Sequence, residues 1–115
     1  MNKIRLVVNN ESKRNEKEKF FIKKELQSIL NLYAKMVSNG SWKDYSFTSG
    51  IKEVSFDVYQ RASEKPVLRI LKNLRPKYFN EKYLIKDKNG AVLKKSENLN
   101  QLISKTSWNK LKLIK

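Results

Sequence analysis

The stretch from Ile51 to Leu74 constrains the fold most, because it holds two strand-like runs separated by a short polar break. In the first run Val54, Phe56 and Val58 alternate with polar residues, which is the period of a strand with one buried face. The second run, residues 67–71, is again mainly apolar. This pattern predicts an antiparallel hairpin around which the rest of the chain is organised.

Counting outwards from the break pairs Val58 with Ile70 and Tyr59 with Arg69. One face of the hairpin is then apolar, and the other carries an aromatic ring and a cation. A slip of one residue in the loop would exchange the two faces, so the assignment of faces depends on this register. The apolar face is predicted to lie inside, with Phe56 in the core.

A long amphipathic helix is predicted over residues 22–39, because its apolar residues recur at spacings of three and four. It ends at Asn39-Gly40, where glycine supplies the left-handed residue that closes many helices. Leu30 is predicted to lie on the buried stripe. A helix with one apolar stripe must cover something, and the following sheet is the available surface.

The remaining elements are short. Strands are predicted over residues 42–47, 78–86 and 91–94, with a type I turn and a bulge at residues 87–90. Ser96 is the expected N-cap of a second helix. The predicted fold class is therefore α+β: a single domain with an antiparallel sheet of about five strands, covered on one face by the long helix and a shorter C-terminal helix.

The two ends of the chain are predicted to lie outside this domain. Residues 1–19 read as a short strand, Ile4 to Val8, followed by a polar connector. The domain spans residues 20–104, and residues 105–115 form a tail. The first apolar run is too short for a signal peptide core or a membrane span, so we expect a cytoplasmic protein without membrane contact.

The composition argues against catalysis and metal binding. The chain has no cysteine and no histidine, which removes the thiolate, the commonest general base and the commonest transition-metal ligand. The acidic residues of the hairpin are predicted to form ion pairs instead, either Arg61 with Glu64 or Arg69 with Asp57. We therefore expect no enzyme activity, no cofactor and no metal.

The charge of the chain points to a polyanion partner. Lysine and arginine number 26 and aspartate and glutamate 11, which gives a net charge of +15. Lysine also uses AT-rich codons, so genome composition is an alternative source of this excess. Ten basic residues lie between Lys65 and Lys95 with tyrosines among them. Cations interleaved with aromatic rings are what single-strand binding requires.

Several short motifs resemble a known family. They are Leu32-Tyr33-Ala34-Lys35-Met36-Val37, Gly40-Ser41-Trp42-Lys43-Asp44-Tyr45, Arg61-Ala62-Ser63-Glu64, Arg69-Ile70 and Lys72. Over about residues 21–103 the chain is similar to short uncharacterised alphaproteobacterial proteins that carry a domain of unknown function, numbered 2794. An aspartate is common in that family where this chain has Ile22, so the usual helix cap is missing here. The resemblance implies no activity.

The functional expectation is a small basic protein that binds nucleic acid, RNA or a single strand in preference to duplex. The predicted site is the sheet face away from the long helix and the loop that follows the hairpin. Its residues are Tyr59, Arg61, Arg69, Lys72, Arg75 and Lys77. The alternative is a protein interaction or adaptor module without a nucleic-acid role, with aromatic residues near the segment ends facing the partner.

Overall fold

The computed structural model describes residues 18–61 and 65–108. The predicted strand Ile4 to Val8 and most of the predicted tail lie outside the described residues. The helices are α1 (Lys23–Ser38) and α2 (Leu99–Lys105). The strands are β1 (Asp44–Ser49), β2 (Glu53–Tyr59), β3 (Leu68–Asn73), β4 (Tyr83–Asp87) and β5 (Val92–Ser96), and a short 3-10 helix spans Phe79–Glu81.

The strands form one antiparallel sheet in the order β1-β2-β3-β4-β5, so each strand pairs with its neighbours in sequence. Both helices contribute to the same apolar core on one face of this sheet. We call this the helix face, and the opposite side, on which Ser55, Asp57 and Leu71 are nevertheless buried, the open face. The predicted α+β class, with about five strands and two helices on one face, is confirmed.

The helix α1 lies within one residue of its predicted limits. The amide of Ile22 donates to the Glu25 carboxylate at 2.8 Å, which caps the helix where Ile22 offers no side-chain acceptor. Gly40, at a φ of +84°, ends it as predicted. The position of Leu30 is a correction, because its side chain is 39% exposed. The buried stripe runs through Glu25, Ile29, Leu32 and Met36, and Leu30 lies about 100° further round the helix than Ile29.

The central hairpin has the predicted faces with a different register. Phe56, which is fully buried as predicted, pairs with Ile70, and Val58 pairs with Leu68. The predicted pairing of Val58 with Ile70 is therefore two residues out. β2 ends at Tyr59 and β3 begins at Leu68, so both strands stop short of the predicted polar break. Since the error is an even number of residues, every side chain stays on its predicted face.

The second half of the chain departs from the prediction in two places. The 3-10 helix interrupts the predicted strand over residues 78–86, so β4 begins only at Tyr83. The N-cap of α2 is Asn98 rather than Ser96, since the Asn98 side chain accepts from the Gln101 amide at 3.0 Å. The predicted turn is confirmed by the 3.0 Å hydrogen bond from the Gly90 amide to the Asp87 carbonyl.

The end of the described chain packs on the core. The Trp108 ring is buried and meets the Trp42 ring edge-on at 5.8 Å between centroids. The Trp108 indole N–H donates to the Ile103 carbonyl at 2.8 Å. In the two described ranges, no helix is long and apolar enough to cross a membrane.

Candidate nucleic-acid interface

The six residues predicted to bind nucleic acid fall into three separate places. Tyr59 and Arg69 lie on the open face, and Arg61 follows the end of β2 beside them. Lys72 lies on the helix face. Arg75 and Lys77 belong to the loop between β3 and β4. Strands rise by about 3.3 Å per residue, so Arg69 and the start of this loop are roughly 15–20 Å apart.

Arg69 is held against the open face by a buried carboxylate. Its Nε donates to Asp57 Oδ1 at 2.9 Å and its Nη2 to Ser55 Oγ at 3.0 Å. Asp57 also accepts from the hydroxyls of Thr48, at 2.6 Å, and Ser55, at 2.8 Å. The Arg69 side chain remains 33% exposed. The predicted Arg69–Asp57 ion pair is thus confirmed, and Glu64 of the other predicted pair lies outside the described residues.

A second cation lies beside Arg69, whose own charge is paired with Asp57. Lys86 on β4 is the cross-strand partner of Arg69. Tyr59 is half-buried, and its hydroxyl lies 3.1 Å from that of Ser46. The Tyr59 ring is therefore fixed on the sheet and offers little surface for a base. This region can hold a phosphate, but it lacks an exposed aromatic ring.

Lys72 lies where no nucleic acid can reach it, which corrects its predicted place in a surface loop. Strand β3 continues to Asn73, so Lys72 has the same orientation as Ile70 and is 0% exposed on the helix face. Its Nζ lies 2.8 Å from Glu25 Oε1, 2.6 Å from Glu18 Oε1 and 3.1 Å from the Phe20 carbonyl. These three acceptors use the three protons of the ammonium group.

Glu25 joins Lys72 to a second buried group. Its Oε1 accepts from Lys72 and from the Ile22 amide, and its Oε2 accepts from the Tyr83 hydroxyl. Burial, and then the hydrogen bond to Glu25, raise the pKa of Tyr83 well above its usual range. We call Glu25, Lys72 and Tyr83 the buried triad. It ties the first turn of α1 to β3 and β4, and each of its polar groups has a partner.

The sequence contained a signal for this triad. Glu25 occupies the same helical stripe as Ile29, Leu32 and Met36, and a carboxylate on an apolar stripe needs a buried partner. The alternation of β3 places Lys72 on the face of Leu68 and Ile70.

The loop between β3 and β4 gathers exposed rings and cations. We call residues 74–82 the aromatic loop. Tyr78 is 58% exposed and Phe79 is 83% exposed. Arg75 and Lys77 are exposed beside them, and Lys77 Nζ lies 5.9 Å from the centre of the Tyr78 ring. Sequence analysis counted Tyr78 among the tyrosines of the sheet and did not consider Phe79, and it named neither as a binding residue, because residues 78–86 were predicted to form a strand.

The two ends of the aromatic loop are fixed to the sheet. The Leu74 amide donates to the Lys52 carbonyl at 2.8 Å, and the Asn73 amide donates to the Lys82 carbonyl at 2.7 Å. The Asn73 side chain also accepts from the Arg75 amide at 3.1 Å. The rings therefore project from a fixed base, which lowers the entropy lost when a ligand stacks on them.

A groove of about 370 Å³ runs beside Phe79. Leu74 and Pro76 give it apolar walls, Lys82 and Asn73 contribute polar atoms, and the carboxylates of Glu18 and Glu97 also line it. Its floor includes Lys72, whose charge is already paired. Glu81, the only carboxylate in the loop sequence, lies 4.0 Å from Lys95. The loop can thus present rings, cations and a shallow recess to one ligand.

Residues 18–61 and 65–108 contain no candidate metal site. No group of three histidine, cysteine, aspartate or glutamate side chains lies close enough there to hold an ion. The carboxylates Asp57 and Glu25 are occupied by Arg69 and Lys72.

Comparison with known proteins gives a family without an activity. The model of the family described as "Protein of unknown function (DUF2794)" matches residues 19–103. No curated protein and no solved structure matches the chain. The match includes the buried triad, the aromatic loop and all five strands. Since the family model covers most of its length, the chain belongs to this family of proteins of unknown function.

Proposed function

We propose that the protein binds single-stranded nucleic acid, RNA included, through the aromatic loop. The observation that carries the proposal is a pair of adjacent exposed rings, Tyr78 and Phe79, among Arg75 and Lys77. Base stacking on an aromatic ring contributes roughly 1–3 kcal/mol per base, and it tolerates any base because every base has a π-face. Adjacent exposed apolar side chains are typical of interaction sites.

The same geometry favours a single strand over a duplex. In a duplex the base faces are already stacked on one another, so the rings of Tyr78 and Phe79 would find no partner. In a single strand the bases can turn towards the loop while the phosphates meet Arg75 and Lys77. The guanidinium of Arg75 can donate two parallel hydrogen bonds to one phosphate, which the ammonium of Lys77 cannot do.

Arg69 and Lys86 supply a second cationic region on the open face. Arg69 is fixed by Asp57 and is one third exposed, so it can contribute charge without reorganising. A single strand that stacks on the aromatic loop would have to extend roughly 15–20 Å to reach this region. In this proposal the aromatic loop is the centre of the binding site, and the predicted open-face residues extend it.

The test uses an unstructured oligonucleotide of about 20 nucleotides and fluorescence anisotropy at several salt concentrations. The variant Tyr78→Ala/Phe79→Ala should weaken binding at least about tenfold. Arg75→Gln/Lys77→Gln should weaken binding and lower the slope of log affinity against log salt by about 1.4, which is two phosphate contacts.

The matched control is Lys23→Gln/Lys24→Gln, which removes the same charge from exposed positions of α1. It should reduce affinity less than the Arg75 and Lys77 pair does. Equal losses in the two charge variants would mean that the protein is only a polycation. Unchanged affinity after removal of both rings would exclude the aromatic loop as the site.

A protein interaction is a second candidate function, and a different surface favours it. Leu30, Val37 and Tyr45 are exposed together on the side of the molecule formed by α1 and β1.

A further inference from the structure

The two edges of the sheet differ in how they are protected. Edge strands expose unpaired backbone groups, and natural proteins commonly protect them with lysine. β5, at one edge, carries Lys94 and Lys95. β1, at the other, has the sequence DYSFTS and carries neither lysine nor arginine. The chain has 26 basic residues out of 115, so an edge strand without any basic residue is unusual for its composition.

Within residues 18–61 and 65–108, β1 pairs on one side only, with β2. The Gly50 amide donates to the Glu53 carbonyl at 2.9 Å, and the pairing with β2 continues in register from there. Since bonded residues alternate along an antiparallel strand, the amides of Phe47 and Ser49 point away from β2. Within the described residues no strand pairs with this side of β1.

An apolar surface lies directly beside this edge. Leu30 is 39% exposed, and Val37, seven residues further along the same side of α1, is 41% exposed. Between them the Tyr33 ring meets the Tyr45 ring of β1 at 4.8 Å between centroids. We call Leu30, Val37, Tyr45 and the outer edge of β1 the β1 flank. It combines exposed apolar side chains with backbone groups that no other described strand pairs with, which is how sheet edges accept a strand.

We infer that the β1 flank binds a second copy of this chain, with the two β1 strands antiparallel across a two-fold axis. If this axis passes near Phe47, the β1 flank of one copy contacts the β1 flank of the other. A two-fold interface requires such contact between the same surface on both copies. The axis places the two α1 helices on the same side of the joined sheet, where Leu30 and Val37 of both copies close over the seam. The inference is independent of nucleic-acid binding.

The charge distribution favours a second copy over an acidic or basic partner. Asp44 is the only charged residue of β1, and antiparallel pairing puts the two Asp44 side chains at opposite ends of the seam. A strongly charged partner would therefore find no matching charges on the strand. The remaining repulsion between two chains of +15 acts at longer range, and salt screens it beyond about 8 Å at physiological ionic strength.

The test is the mass of the nuclease-treated full chain by sedimentation velocity, at about 50 mM and about 500 mM NaCl. We expect twice the 13.6 kDa of the chain, with the dimer fraction rising with salt and with protein concentration. Leu30→Gln/Val37→Gln should weaken dimerisation at least about tenfold. The matched control, Val92→Gln/Leu93→Gln, replaces two exposed apolar residues at the β5 edge and should dimerise like the natural chain.

A second measurement locates the contact. Amide hydrogen exchange at Phe47 and Ser49 should slow as protein concentration rises, while exchange at the β5 edge should not change. Circular dichroism verifies that both double variants are folded. A monomer at every salt and protein concentration would overturn the proposal and leave the flank to a different chain. A dimer that Leu30→Gln/Val37→Gln does not weaken, or one without protection at Phe47, would overturn it as well.

Discussion

Arg69 and Lys72 lie three residues apart on β3, and they illustrate two uses of a cation in one strand. Lys72 points to the helix face, where it is 0% exposed and contacts Glu25 and Glu18. Arg69 points to the open face, where it is 33% exposed and paired with Asp57. Strand parity alone separates them, because three residues along a strand is an odd step. The buried ammonium of Lys72 can serve only the stability of the fold. The partly exposed guanidinium of Arg69 can also donate hydrogen bonds to a ligand.

The largest expected effect comes from removing the buried cation. Lys72→Met leaves the Glu25 carboxylate inside the protein without its charge partner, which should lower the free energy of unfolding by roughly 3–5 kcal/mol. Arg69→Met should cost less, roughly 1–3 kcal/mol, because the Arg69 side chain is 33% exposed, so water can take its place beside Asp57. Urea unfolding followed by circular dichroism measures both.

The control for this comparison is the double variant Glu25→Gln/Lys72→Met. Glutamine is neutral and can still accept from Tyr83 or Ile22, so the double variant should be more stable than Lys72→Met alone. If it is less stable, the cost of Lys72→Met comes from packing rather than from an unpaired charge. If Lys72→Met and Arg69→Met lower the free energy of unfolding equally, the cation on the helix face is no more important for stability than the cation on the open face.

The alternation of side chains along a strand also explains which parts of the fold could be predicted from the sequence. Alternation identified the strands and their faces, and Phe56 lies in the core as expected. Lys72 was misplaced because the pattern did not show that β3 continues beyond Leu71. Leu30 was wrongly predicted to be buried because the apolar residues of α1 cover more than one face of the helix. The sequence does not show which of these residues the sheet will contact. Phe79 was left out of the predicted site because it lies in the strand predicted over residues 78–86.

The second prediction concerns the pH dependence of the buried triad. Tyr83→Phe removes the hydrogen bond to Glu25 and should cost roughly 1.5–3 kcal/mol at neutral pH. In the natural chain burial and Glu25 hold the pKa of Tyr83 above its ordinary value of 10.0. Up to that pH the hydroxyl keeps its proton in both states, so it adds no pH dependence. Above it only the unfolded chain loses the proton, and the stability from Tyr83 falls by up to about 1.4 kcal/mol per pH unit.

Urea unfolding between about pH 8 and about pH 11 tests this. The natural chain should lose stability more steeply than Tyr83→Phe above pH 10, and the two curves should converge. Lys72 and the other tyrosines are present in both chains, so the difference isolates Tyr83. Parallel curves over the whole range would mean that the Tyr83 hydroxyl is solvated, and the buried triad would then reduce to the Glu25–Lys72 pair.

The smallest expected effect tests whether Arg69 is needed as an arginine or only as a charge. Arg69→Lys keeps the net charge, and a lysine can still reach Asp57, but it cannot also donate to Ser55 in the same geometry. Stability should fall by only about 0.5–1.5 kcal/mol. If the open face extends the nucleic-acid site, oligonucleotide affinity should also fall by several-fold, because a forked contact to phosphate is lost. Affinity unchanged at equal charge would confine binding to the aromatic loop and leave Arg69, like Lys72, as a part of the fold.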